Sequence, residues 1–373
     1  MIKPVLSVAF PYLNYTPNWL KCNRAGKAWG FDRGVLVEFA ADTPRLNRGV
    51  GLIVEESRTN NLTNSRDLTN AAWNKTNCSA SLNATGIDGV INTASTITAS
   101  AANAIVEQTY TAASAQFTLS VYLKLKPGAT GPGDVYISAD ETTWKWCGPL
   151  SESDWQRFTI TQTLANPKLA IKISNNAGVL QVDGCQIEGG AFATSFILTS
   201  GTAITRNADE VYIDITQTAR TNWFNAAAGS FILDVQTSKV SGAQTFLYLR
   251  NQAATGDYLQ LGSDYSSTRG RWQCGYTQSQ YYELVDNDIV TADIPLIDGK
   301  LATSYTSGLQ LFSVFGFRTA LPDDDETNTI NYSNVDAVWL GNKDTTQHMS
   351  GIIRSLVYYN IQLNQEQLNQ LTA

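Results

Sequence analysis

The chain has 373 residues, of which 43% are hydrophobic and only 16% charged, and its formal net charge is -7. An acidic chain without a Lys/Arg cluster is unsuited to neutralising phosphates, which excludes nucleic-acid binding, and no apolar run nears the roughly 18 residues of a membrane-spanning helix. The length exceeds one ordinary core and suits two, since single cores stop growing at about 250–300 residues.

Residues 1–47 come first, with Trp19, Trp29 and Phe31 among the basic residues Lys21, Arg24, Lys27 and Arg33. The segment reads either as an arm docking on an acidic partner surface or as the first strands of the domain that follows. Its opening residues 1–15 are broken by Pro4 and Pro11 and lack a continuous apolar stretch, so they are expected to be structure and not a signal peptide. From residue 48, short strand patterns succeed one another. In residues 116–125, Phe117, Leu119, Val121, Leu123 and Leu125 recur with period two, the mark of a half-buried strand. Similar runs fall at 50–54, 104–110, 134–138, 157–161, 169–174 and 179–183. Turn formers such as Pro127-Gly128 separate them.

After about Asn207 the rhythm restarts. Phe231, Leu233 and Val235 alternate, as do Phe246 and Tyr248, then Tyr258 and Gln260; further strands are expected at 271–276, 310–315 and 335–340. Residues 351–359 are almost continuously apolar, as in a strand buried within a sandwich. Only residues 363–371 have helical spacing, with Asn364 placed to cap and Gln367 to complete a capping box. No fixed-period repeat disturbs this reading. The predicted fold is all-β: two antiparallel jelly-roll β-sandwich domains and a short C-terminal helix. The predicted partition is 1–47, 48–210 and 211–373, with the boundary between the sandwiches falling between Ser200 and Thr218.

The five cysteines, Cys22, Cys78, Cys147, Cys185 and Cys274, are odd in number and widely spaced. They support neither a disulfide framework nor a zinc site, and free thiols suit folding in a reducing cytosol. No cofactor is implied. The deficit of charge, filled by Thr, Ser, Asn, Gln and Ala, also suits surfaces that pack against neighbouring subunits.

Two stretches resemble a known family. One is Gly51-Leu-Ile-Val-Glu-Glu-Ser-Arg-Thr-Asn60, followed by Asn64-Ser65 and Asn70-Ala-Ala-Trp73. The other is Gln186-Ile-Glu-Gly-Gly-Ala-Phe-Ala-Thr-Ser195, followed by Gly201 and Thr205-Arg-Asn-Ala-Asp209. In this order they resemble segments of tailed-bacteriophage structural proteins, and the resemblance covers roughly residues 41–209. It implies a sandwich similar to carbohydrate-binding modules, on a virion protein made in the host cytoplasm. Where that family usually has Ile-Pro-Thr, this chain has Ile197-Leu198-Thr199, which loses only a rigid turn. Trp339-Leu-Gly-Asn342, residues 350–359 and the helix after them are similar to a concanavalin-A-like or laminin-G-like jelly roll. Without a heptad shaft, the implied role is capsid decoration or a short appendage. The implied partners are capsid or tail proteins, host surface glycans and further copies of the chain, as a homotrimer. A tail receptor-binding protein, a ligand-free cement protein and a polysaccharide depolymerase are the alternatives.

Glu55, Glu56, Arg58, Arg206 and Asp209 are candidates for an ion-paired clasp closing the first sandwich, or for a ligand or subunit contact. Sugar rings present apolar CH faces that stack on aromatic side chains. The glycan candidates are therefore Trp144, Trp146 and Trp155 in the first sandwich and Tyr265, Trp272, Tyr276, Tyr281 and Tyr282 in the second, each also readable as core or interface. The acidic run with Asp323, Asp324 and Asp325 offers oxygen ligands for calcium but lacks EF-hand spacing, and so also reads as a solvated loop. Catalysis has little to stand on. His348 is the only histidine, no nucleophile-elbow or zinc-protease motif accompanies it, and Glu152-Ser-Asp-Trp-Gln-Arg157 ends in Arg where sandwich-fold glucanases resembling it carry Glu.

Overall fold

The structure, a computed structural model, describes residues 3–215, 223–239, 242–251, 258–266, 269–277, 280–285, 297–306, 310–314, 317–319, 332, 335–343 and 347–373. Within these the chain is nearly all β, with antiparallel sheets and one short C-terminal helix, as predicted. It divides into a terminal unit, Met1–Gly26 with Phe39–Glu56 and Asn207–Ala373, and a central unit, Lys27–Glu38 with Ser57–Arg206. The division differs from the consecutive partition 1–47, 48–210 and 211–373. Residues 48–56 fold with the C-terminal half, and residues 27–38 fold with the middle of the chain.

The central unit is a sandwich of two five-stranded antiparallel sheets. One sheet runs Gln156–Leu164, Ala115–Leu125, Val179–Gly189, Ala94–Ala99, Cys78–Ala84; the other runs Trp144–Trp146, Val135–Ser138, Lys168–Ile173, Ala104–Thr109, Asn74–Thr76. The alternation read in residues 116–125 is what fills it. Phe117, Leu119, Val121 and Leu123 point inward and pack with Val106, Ile137, Ile171, Val182 and Ile187. Strand Val179–Gly189 is longer than its sequence pattern because a bulge changes its phase, which the register records as a shift opposite Ser120 and Tyr122. Gly184 makes this possible: its φ is +58°, and a Cβ there would stand 2.8 Å from Cδ2 of Tyr122. Val182 lies inward before the bulge, and Cys185 and Ile187 after it. A second, smaller cluster joins Leu36 of strand Val35–Phe39 to Ile87, Tyr122 and Phe196, with Trp29 and Phe31 of strand Ala28–Asp32 packed on it.

The terminal unit also has two antiparallel sheets. In the eight-stranded one, Gly351–Tyr359 lies between Ala228–Thr237 and Gly51–Val54, and Leu6–Ala9 pairs with it as well. In the seven-stranded one, Glu210–Asp214 lies between Leu20–Asn23 and Val335–Leu340. The first 26 residues therefore supply a strand to each sheet, and Val8, Phe10, Trp19 and Leu20 are buried in the common core with Phe231, Phe246, Leu340 and Tyr358. Helix Gln365–Thr372 starts at the predicted cap: the Gln367 N–H donates to Asn364 Oδ1 at 3.0 Å, and the Asn364 N–H donates to Gln367 Oε1 at 2.9 Å. Its Leu368 is buried against Ile232, Ala302 and Tyr359. No helix among the described residues is long and apolar enough to cross a membrane.

Candidate functional site

The recognisable segments turn out to be a set of structural locks. Asn60 is fully buried with every amide position used: its Nδ2 donates to the carbonyls of Cys185 and Ile197, and its Oδ1 accepts from the N–H groups of Leu62 and Ile187. Glu188 accepts from the Thr194 N–H and hydroxyl and from Gln186 Nε2, while Gln186 Oε1 accepts from the Ile197 N–H. The Trp73 indole N–H donates to the Asn64 carbonyl at 2.8 Å. These polar groups are buried and would be costly if left unpaired. That explains why such residue types sit at these places.

The proposed clasp residues lie on both units. In the terminal unit Asp209 and Glu55 meet around two arginines that the sequence had not singled out for this purpose. Arg24 Nη1 lies 2.7 Å from Asp209 Oδ1, Arg45 Nη2 lies 2.7 Å from Glu55 Oε2, and Arg45 also pairs with Asp209 Oδ2. Arg24, Arg45 and Asp209 have wholly buried side chains. Burial disfavours the Arg45 charge, but Asp209 and Glu55 outweigh it and hold its pKa above the usual guanidinium value. Beside them the Cys22 thiol is pushed up to about 12, first by burial and then by Asp209. Glu56 pairs with Lys239 at 3.1 Å. In the central unit Arg58 and Arg206 stand opposite each other across the small ladder Arg58–Asn60 with Ile204–Arg206, and the Arg58 guanidinium lies 4.6 Å from the Phe192 ring centroid.

Of the aromatic candidates, Trp144 and Trp146 share the outer face of edge strand Trp144–Trp146, and the fold adds two residues to them. The register aligns Trp146 with Tyr136 and Tyr136 with Lys172. The Lys172 ammonium lies 4.2 Å from the Trp144 ring centroid and 4.7 Å from that of Tyr136. Each such cation–π contact contributes about 0.5–1 kcal/mol at an exposed site. Trp146 is 53% exposed. The Lys172 ammonium, the Tyr136 hydroxyl and the Trp146 indole N–H have no hydrogen-bond partner among the described residues.

The turn that carries this strand is built by Asp140. Its carboxylate accepts from the N–H groups of Thr142 at 2.8 Å and Thr143 at 2.7 Å, and from the hydroxyls of Ser138 and Thr143. Partial burial opposes the charge, but the Thr143 and Thr142 N–H groups outweigh it and hold the acid well below the usual carboxylate range. Glu141 takes the left-handed φ of 59° that the turn requires, and its carbonyl accepts the Trp144 indole N–H at 3.1 Å. Two strand neighbours along, Lys168 is shared by Glu107 and Glu141 at 2.8 Å each.

Trp155 is placed elsewhere, packed on the Leu36, Ile87, Tyr122 and Phe196 cluster. Tyr265, Trp272, Tyr276, Tyr281 and Tyr282 lie on the adjacent strands Tyr258–Ser266, Arg269–Thr277 and Gln280–Val285, but their side chains are outside the described residues. Asp323, Asp324 and Asp325 are outside them as well. Among the described residues no three His, Cys, Asp or Glu side chains form a group that could hold a metal ion, and Cys22, Cys78, Cys147 and Cys185 are free thiols.

No family model matches the sequence, and no curated protein matches it. Among solved structures the chain is similar to the carbohydrate-binding module CBM40 of the Ruminococcus gnavus IT-sialidase, bound to alpha2,6 sialyllactose, at 15% identity and a TM-score of 0.35 over 43% of this chain and 92% of that one. It is also similar to a leech intramolecular trans-sialidase, at 19% identity and a TM-score of 0.35 over 43% of this chain and 26% of that one. A third is the NanB sialidase from Streptococcus pneumoniae, at 14% identity and a TM-score of 0.33, again over 43% and 26%. The chain thus spans about a quarter of each of these two sialidases.

Proposed function

We propose that the protein is a non-enzymatic surface protein of a tailed-bacteriophage particle that contacts glycans through the outer face of its central unit. The observation that carries the glycan reading is Trp146, more than half exposed beside Trp144 and Tyr136 on a hydrogen-bonded sheet, with donors around it that no described residue engages. Flat apolar rings bordered by free donors match the CH faces and hydroxyls of a sugar. The virion assignment is supported by the resemblance of segments 51–60 and 186–195 to those of tailed-bacteriophage structural proteins. A role in capsid decoration or a short appendage fits a chain without a shaft, and a homotrimer would multiply weak contacts into useful avidity. The tail-borne receptor binder is the variant of this reading with the same face.

A non-enzymatic role is supported by the state of the nearby acids. Glycosidic cleavage needs a protonated carboxyl beside a second carboxylate. Asp140 is instead held ionised in its turn, and Glu107 and Glu141 share Lys168. Binding of the full chain to a glycan array tests the proposal, with Trp146→Ala as control. Wild type should bind and the variant should lose binding while its melting temperature stays unchanged; equal binding by both would reject this face. Cryo-electron microscopy of the particle decides between capsid lattice and tail.

One observation favours a second reading as ligand-free cement. Edge strand Cys78–Ala84 carries Leu82, and the loop after it carries Val90 and Ile91, all exposed at 38%, 53% and 72%. Exposed apolar groups beside an unpaired strand edge suit contact with another subunit. Silence on the array together with a more fragile particle after deletion would favour it.

A further inference from the structure

We infer that the sugar taken on this face is anionic, and that Lys172 is the residue that binds its negative group. The inference rests on the glycan reading of the same face and adds the chemical class of the ligand. On a chain of net charge -7, a lysine beside acidic residues ordinarily finds a carboxylate. Lys168, on the same strand and the same face, has two, Glu107 and Glu141. Lys172 has none among the described residues; its ammonium is positioned by the Trp144 and Tyr136 rings alone.

Rings hold a cation in place without consuming its donors, so three N–H groups remain for a ligand. Fixing the side chain beforehand also lowers the entropy lost on binding. Four residues along a strand span roughly 13 Å, which separates Lys172 from the acidic pair at Lys168. A pyranose stacked on Trp146 would set a substituent toward Lys172 across the Tyr136 position, because Trp146, Tyr136 and Lys172 form one cross-strand row. Carboxylate and sulfate-ester oxygens both satisfy an ammonium by charge-assisted hydrogen bonds. The shared requirement is an anionic oxygen at that end of the ring.

Calorimetry with the full chain separates the cases. The probes are an oligogalacturonate, a sulfated chondroitin oligosaccharide, and the carboxyl-reduced and desulfated counterpart of each. Wild type should bind one acidic class and lose roughly tenfold to a hundredfold against its neutral counterpart, the size expected for one hydrogen bond to a charged group. Lys172→Gln should show the same loss for the acidic probe and none for the neutral one, with Lys172→Arg retaining acidic binding. Which acidic class binds tells carboxylate from sulfate. Equal affinity for acidic and neutral probes, or full acidic binding by Lys172→Gln, would overturn the anion assignment and leave the glycan reading standing. No binding of any probe by wild type would overturn both.

Discussion

At the scale of single residues, charge counts for little on the surface of this chain and for much inside it. The pair Lys27 and Glu38 is close, at 2.8 Å, but 68% and 38% exposed; its loss should change stability by no more than about 0.5 kcal/mol. Arg45 is its opposite. Its side chain is wholly buried and serves both Asp209 and Glu55. Arg45→Met would take from Asp209 and Glu55 the buried guanidinium that pairs with both, and removing one partner of a buried pair costs about 3–5 kcal/mol. Urea unfolding should show that loss for Arg45→Met and near-wild-type behaviour for Lys27→Met. Comparable effects would mean that the buried cluster relaxes or hydrates.

At the scale of elements, short strands here depend on the turns that deliver them. Strand Trp144–Trp146 is three residues long and, among the described residues, pairs on one side only, with Val135–Ser138. The Asp140 turn holds it in register. A folded-state pKa below the unfolded one means that Asp140 contributes stability above the unfolded value, about 3.9, and that the contribution fades as pH falls through the folded value. Asp183 runs the other way: burial outweighs Arg66 and raises its pKa, so its ionisation works against folding once pH exceeds the unfolded value. Asp140→Ala should therefore melt below wild type at pH 7, by about 1–2 kcal/mol for a lost capping-type interaction, and the gap should narrow as pH falls below the unfolded value. A gap constant with pH would show that the turn works through geometry alone.

At the scale of the molecule, continuity in sequence and continuity in space part company. Without residues 1–56 the C-terminal half would lose strands Leu6–Ala9, Leu20–Asn23, Arg45–Asn47 and Gly51–Val54. Core positions Val8, Phe10, Trp19, Leu46, Leu52 and Val54 would be empty. Two strands, Gly351–Tyr359 and Glu210–Asp214, would also lose a neighbour and present bare edges. A fragment of residues 207–373 should thus aggregate or lack a cooperative melt by circular dichroism. A soluble, cooperatively melting fragment would show that the N-terminal strands are an addition to that unit and not a part of its core.

Local pattern determined a good deal by itself. Strand Ala115–Leu125 followed from its alternation, helix Gln365–Thr372 from Asn364 and Gln367, and the shared face of Trp144 and Trp146 from the period-two geometry of any strand. These depend on neighbours a few residues apart, where one chain of atoms dictates the outcome. What lay beyond reach depends on pairing between distant segments. Gly51 can only be understood beside Ile352, whose Cγ2 would stand 2.5 Å from an added Cβ. Arg24 and Arg45 read as unremarkable charges until the fold brings Asp209 to them, and the phase change at Gly184 is invisible until Tyr122 lies across from it. Lys172 is the plainest case. It is one more lysine on an alternating strand until Tyr136 on the paired strand and Trp144 on the strand beyond it set their rings against its ammonium, a choice made by register and thus by the tertiary structure alone.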